Sequence, residues 1–211
     1  LNPQEDRLAF SCLCELDKQG NITDYKFAKT VIRSRVKGVY SEINSLLAGS
    51  DDAELKEKYA EVSDQLPIIK ELADILYKNK KNRGCPELET SESKLIINDE
   101  DICVGVERRT RGRSEEIIED FMLVANECAA RFGMDNNLPF VYRIHEEPSD
   151  EKLESLREAL VKLNVQYKLG EKACPGDMSE ILKAAKGTDI DLIMNNIVLR
   201  SMSKARYSTE P

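Results

Sequence analysis

The stretch DRLAFSCLCELDKQGNITDYKFAKTVI, residues 6–32, constrains the fold most. Leu8, Phe10, Cys12 and Cys14 alternate with Ala9, Ser11 and Leu13, the two-residue period of a strand. Gly20-Asn21 supplies a turn, and Tyr25 and Phe27 continue the pattern on a returning arm. A second hairpin is predicted over SKLIINDEDICVGVE, with Asn98–Asp101 at its tip. The three acids there read as a solvated turn, because no further ligands follow at calcium-loop spacing.

Between and after the hairpins the periodicity is helical. VKGVYSEINSLLAG is a short helix closed by Gly49. Residues 51–84 form a longer helical stretch whose acidic start and basic end suit the helix dipole, with Gly84 as its stop. Pro67 kinks or splits it. Ser114 caps a helix through IIEDFMLVANE. LPFVYRIHEEP is a strand running into a loop, and SDEKLESLREALVKLN is a capped amphipathic helix. After a break at residues 174–176, DMSEILKAAKG and DIDLIMNNIVLRSMSKARY give two more helices. The order specifies an α+β fold, with antiparallel hairpins and a mixed sheet packed with several helices, in one domain over residues 1–211. The chain opens at the edge of a strand and stops at YSTEP, so it is expected to be the central part of something longer.

Composition narrows the function. At 211 residues, 41% apolar and 33% charged, the chain suits a soluble protein with a real core. No apolar run approaches the roughly 18–20 residues of a membrane span, and the N-terminus has no signal pattern. Six cysteines, at positions 12, 14, 85, 103, 128 and 174, show no CxxC pair and no histidine partner. They read as reduced thiols in a cytoplasmic protein, and a zinc site is not expected. P-loop, GxGxxG and HExxH motifs are absent. The single histidine, His145, rules out mechanisms needing a histidine pair, and a hydrolase built on HEE lacks a second ligand set. A net charge of −8 argues against a general polyanion binder, so any nucleic-acid contact must come from local basic clusters.

Those clusters are Arg33-Arg35-Lys37, Lys78–Arg83 and Arg108–Arg113, and each has a plain reading as a strand end, dipole compensation or a solvated loop. The first carries most weight because Tyr40 follows it: charge beside a flat ring is what a single strand needs. On the helix from Ser114, Ile117, Ile118, Phe121, Val124, Ala125, Cys128, Ala129 and Phe132 form one apolar arc, which predicts burial on most sides. Its polar residues fall into two seams, Glu115/Glu119/Asn126 and Glu116/Asp120/Glu127. Periodicity does not say which seam faces inward.

Through LNPQEDRLAFS, DYKFAKTVIRSRVKGVYSEI, IIEDFMLVANE, FVYRIHEEPSDEKLESLREAL and LRSMSKARYSTEP, nearly the whole chain resembles the catalytic domain shared by ribonuclease R and ribonuclease II, ribonuclease R above all. The resemblance implies a processive 3′→5′ exoribonuclease that degrades single-stranded RNA to nucleoside monophosphates with Mg²⁺ held by an aspartate cluster. It implies no membrane and no obligate protein partner. It places the aspartate cluster upstream of this sequence and the catalytic arginine downstream of YSTEP, so these residues alone are expected to be inactive. It assigns Tyr40 to the active site near the RNA 3′ end, and Glu119 to the terminal ribose, which favours the Glu115/Glu119/Asn126 seam. The family's second glutamate is Asp120 here. Arg33, Arg35 and Lys37 are candidate RNA contacts. Leu88 stands where the family has a base-stacking aromatic, and it offers apolar contact without a π-face. The competing reading is a non-catalytic RNA-binding or protein-interaction domain of the same fold.

Overall fold

The computed structural model describes residues 2–88, 92–109 and 111–210, with only the backbone of Glu92 and Arg109. In chain order the elements are strands β1 (Asp6–Leu16) and β2 (Ile22–Arg33), helices α1 (Tyr40–Leu47) and α2 (Ala53–Lys58), a 3-10 turn (Ala60–Val62) and helix α3 (Gln65–Asn82). Strands β3 (Glu92–Ile97) and β4 (Cys103–Arg109), helix α4 (Arg113–Asp135) and strand β5 (Tyr142–Ile144) follow. Helices α5 (Asp150–Lys162), α6 (Pro175–Ala185) and α7 (Asp191–Ser201) then lead to strand β6 (Arg206–Ser208). The α+β class is as the sequence specifies. The chain divides into two compact units, residues 1–79 with 110–136, and residues 80–109 with 137–211.

In the first unit, β1 and β2 pair antiparallel from Asp6↔Arg33 to Glu15↔Asp24, as the alternation predicts. Their turn is held by Asp17, whose Oδ1 accepts from the backbone N–H of Gln19 and of Asn21, each at 2.8 Å. Gly20 takes φ +82° there, a left-handed conformation that glycine adopts without strain. The C-terminal half of α4 lies against this end of the hairpin. Phe132 meets Phe27 edge-on at 5.5 Å, the Cys128 and Cys14 sulfurs are 3.7 Å apart, and Tyr25 Oη donates to Asp135 at 3.1 Å. At the open end the same face is exposed, with Leu8 91% and Phe10 71% accessible. The helical stretch before Gly84 is split rather than kinked. Asp52 caps α2, and Pro67 falls in the first turn of α3, where its missing N–H leaves no bond unmade.

The second unit holds the main apolar core. Leu153, Leu156 and Leu160 of α5 repeat at helical spacing against Met178, Ile181, Leu182 and Ala185 of α6 and Met194 and Val198 of α7. Ser149 caps α5, its Oγ accepting from the Lys152 N–H. Two expectations fail at the ends of helices. The break foreseen at residues 174–176 is a helix start: Pro175 occupies the first helical position, and Asp177 reaches back to accept the Cys174 N–H at 2.7 Å. The last helix stops at Ser201, and Arg206–Ser208 is a strand pairing antiparallel with β5. The mixed sheet is also absent: the described strands form three separate antiparallel pairs, because β5 finds its partner in β6 rather than at a hairpin edge. Among the described residues no helix is long and apolar enough to cross a membrane.

Candidate functional site

Tyr40 is the first residue of α1, 45% exposed, yet the backbone around it is pinned from two sides. The Val39 N–H donates to the hydroxyl of Tyr59 at 3.1 Å, and Tyr59 is only 1% exposed. That phenol in turn donates to Glu42, which also accepts from Lys58. Lys58, then Tyr59, hold the Glu42 carboxyl below its usual range, while burial and then Glu42 push the Tyr59 phenol up. On the other side the Tyr40 carbonyl accepts from Ser114 Oγ at 3.1 Å. An exposed ring on a fixed backbone is preorganised to meet a flat ligand.

The element bonded to α1 here is the start of α4. Sequence reading makes Ser114 its cap, but the cap residue is Gly112 and Ser114 lies inside the first turn. The capping oxygen comes from Glu115, whose Oε2 accepts the Gly112 N–H at 3.1 Å. Asn44 of α1 bridges to this turn twice: its Nδ2 donates to Glu115 at 3.0 Å and its Oδ1 accepts the Ser114 N–H at 2.8 Å. Burial pushes the Glu115 pKa up, but hydrogen bonds from Asn44, Ser114 and backbone N–H groups outweigh it and hold the carboxyl below its ordinary value.

Glu119 lies five residues beyond Ser114, about 7.5 Å along the helix axis. Its side chain is 46% exposed and ion-paired with Arg111. The expectation of a helix buried on most sides is therefore corrected. Only Ser114, Ile117, Asp120, Cys128 and Gly133 are buried, while Ile118, Met122, Leu123, Phe132 and Met134 of the apolar residues stay exposed, because the unit covers one face of α4 alone. The inward-facing acid is Asp120, and Glu119 stands where a ligand can reach it.

The basic residues separate by partner. Arg33 ends β2 and pairs with Asp6 at 2.6 Å. Arg35 and Lys37 follow in the exposed stretch before α1, and among the described residues neither enters an ion pair. In the other clusters Lys81 pairs with Glu87, and Arg113 with Asp74 and Glu116 while lying over the Tyr77 ring. Leu88, in the second unit, packs half-buried against that unit's core. His145 is exposed, with Nδ1 3.4 Å from the Ser203 carbonyl. The Asn98–Asp101 tip is a turn in which Asn98 Oδ1 accepts the N–H groups of Glu100 and Ile102. Among the described residues no group of three or more histidine, cysteine or acidic side chains could hold a metal ion. Sequence reasoning missed Asn44, Tyr59 and Gly112, whose parts in the site are contacts across long stretches of chain.

The family model for the RNB domain matches residues 1–211. Ribonuclease R 1 of Lactococcus lactis is 35% identical over 212 residues, a match covering 99% of this chain and 25% of that protein. The chain thus spans about a quarter of the length of this curated relative. Among solved structures, the apo form of Mycoplasma genitalium RNase R superposes with TM-score 0.91 at 26% identity, covering 100% of this chain and 33% of that one. The same enzyme in complex with ribose-methylated single-stranded RNA gives TM-score 0.90 at 26% identity, covering 100% and 32%. An α+β chain whose whole length follows ribonuclease R in sequence and in backbone belongs to the RNB domain family, of the ribonuclease R type.

Proposed function

We propose that this chain forms the part of a 3′→5′ exoribonuclease that receives the 3′ end of single-stranded RNA, and that the full-length protein is a cytoplasmic, processive enzyme releasing nucleoside monophosphates. The observation that carries this reading is that an exposed aromatic on a pinned backbone, Tyr40, is bonded through its carbonyl to the first turn of the helix that bears an accessible carboxylate, Glu119. The Tyr40 ring offers a face or edge to the terminal sugar or base. Glu119 accepts a hydrogen bond from a ribose hydroxyl, which favours RNA over DNA, and Arg111 shares or yields the carboxylate as the ribose arrives. Arg35 and Lys37, with Arg33 once it leaves Asp6, contact phosphates near Tyr40. Leu88 would give at most apolar contact to a base, at the expense of its packing.

The described residues do not fit a magnesium ion, since no three or more histidine, cysteine or acidic side chains among them gather into a site. Mg²⁺ belongs in this proposal to groups outside these residues, as the resemblance implies, and the isolated chain should not trim RNA. In the full-length protein, Glu119→Ala should slow turnover on RNA and narrow the gap between RNA and DNA substrates. An unchanged gap removes Glu119 from the ribose. Trimming of a labelled oligoribonucleotide by the purified 211-residue chain with Mg²⁺ would overturn the division of labour.

A further inference from the structure

We infer that Asn44 is a positioning residue: it locks α1 to the first turn of α4 and so fixes the place of the Tyr40 ring relative to the Glu119 carboxylate. The inference rests on the 3′-end reading above. The Asn44 side-chain hydrogen bonds go to neither of the two groups assigned to the RNA terminus. It acts through the turn between them, donating to Glu115 at 3.0 Å and accepting from the Ser114 N–H at 2.8 Å. Ser114 Oγ, held in that turn, has two acceptors in reach for its one proton, the Tyr40 carbonyl at 3.1 Å and Glu115 at 3.2 Å. The path from the ring to the carboxylate therefore runs from Tyr40 through Ser114 along about 1.4 turns of α4 to Glu119, and Asn44 closes it from the α1 side.

Gly112 supplies an independent sign that this contact is built. Its φ of −105° and ψ of 178° are open to any residue, so the backbone does not require glycine. Space does. A Cβ there would lie 2.0 Å from Asn44 Nδ2, 2.5 Å from Cγ and 2.8 Å from Oδ1, so the amide sits flat against the helix start in room that only glycine leaves. Removing the amide, or filling the room it needs, should have the same consequence by opposite means. That consequence is a shift of Tyr40 against Glu119, with a loss of discrimination larger than any loss of RNA binding.

The test uses the full-length protein and two oligonucleotides that differ only in a 3′-terminal ribose or 2′-deoxyribose. The readout is the ratio of their kcat/KM values, with thermal unfolding followed in parallel. Asn44→Ala and Gly112→Ala should each cut the ratio by roughly ten- to a hundredfold. Gly112→Ala placed in the Asn44→Ala background should add almost nothing, because the clashing atoms are gone. Should Asn44→Ala fail to fold, Ser114→Ala breaks the same path at the Tyr40 carbonyl and is read in the same way. Unfolding shifts with an unchanged ratio, or full additivity of the two substitutions, overturn the inference. Glu119→Ala measured alongside separates the two levels. If it lowers the ratio and the Asn44 and Gly112 variants do not, only the positioning role fails; if it leaves the ratio alone, the 3′-end reading fails and takes this inference with it.

Discussion

Alkylation of Cys128 gives a quantitative reading of how α4 seats on the β1–β2 hairpin. The thiol is fully buried, 3.7 Å from the Cys14 sulfur, and burial, then hydrogen bonding with Cys14 and Cys12, pushes its pKa up to about 12. Only the thiolate reacts. At pH 8 a thiol with pKa about 12 is ionised roughly once in 10⁴, against roughly a quarter for an ordinary cysteine, so the thiolate supply alone is lower by on the order of 10³. The assay is iodoacetamide labelling of the reduced native chain, resolved by peptide mass spectrometry, with exposed Cys85, Cys103 and Cys174 as internal standards. Cys128 should lag them by about three decades, and its rate should climb tenfold per pH unit to pH 10 with no plateau. In denaturant all four should react alike. Native-state labelling of Cys128 within about tenfold of the exposed thiols would refute the packing of α4 on the hairpin.

Two further outcomes follow from the packing and the electrostatics. Leu156→Ala removes a side chain 1% exposed at the centre of the second unit and should cost about 2–5 kcal/mol in urea unfolding, with a loss under 1 kcal/mol contradicting that core. Glu115 has a folded pKa below the unfolded value of about 4.3, so its contribution is fully present above that pH and is lost as pH falls through the folded pKa. The stability gap between the native chain and Asn44→Ala should therefore be flat from pH 7 to about 5 and narrow below about 4, and a gap that widens in acid would contradict the sign.

Sequence carried the fold where the signal was local. Alternation and the Gly20-Asn21 turn made the first hairpin legible, though not its register, and Pro67 announced a division of the long helical stretch that falls a few residues before it. Helix faces were less legible. An apolar arc on α4 does not say whether this chain or something else covers it, and Ile118 and Phe132 lie open. Local rules also misled at ends: Ser114 is a good capping residue by type, but the cap is made by Gly112 and Glu115, and Pro175 begins the helix it was expected to precede. The site divided in the same way. Tyr40 and Glu119 were reachable through resemblance, whereas Tyr59 under Val39 and Asn44 over Gly112 depend on contacts between distant segments, for which no spacing rule exists.

Photo-crosslinking a single-stranded RNA whose 3′-terminal nucleotide carries the reactive group, to the full-length protein without divalent metal, tests the central claim most directly. A principal adduct on Tyr40 is expected, lost when the 3′ end is blocked with a bulky group. An adduct confined to residues outside the Tyr40 and Glu119 segments would contradict it.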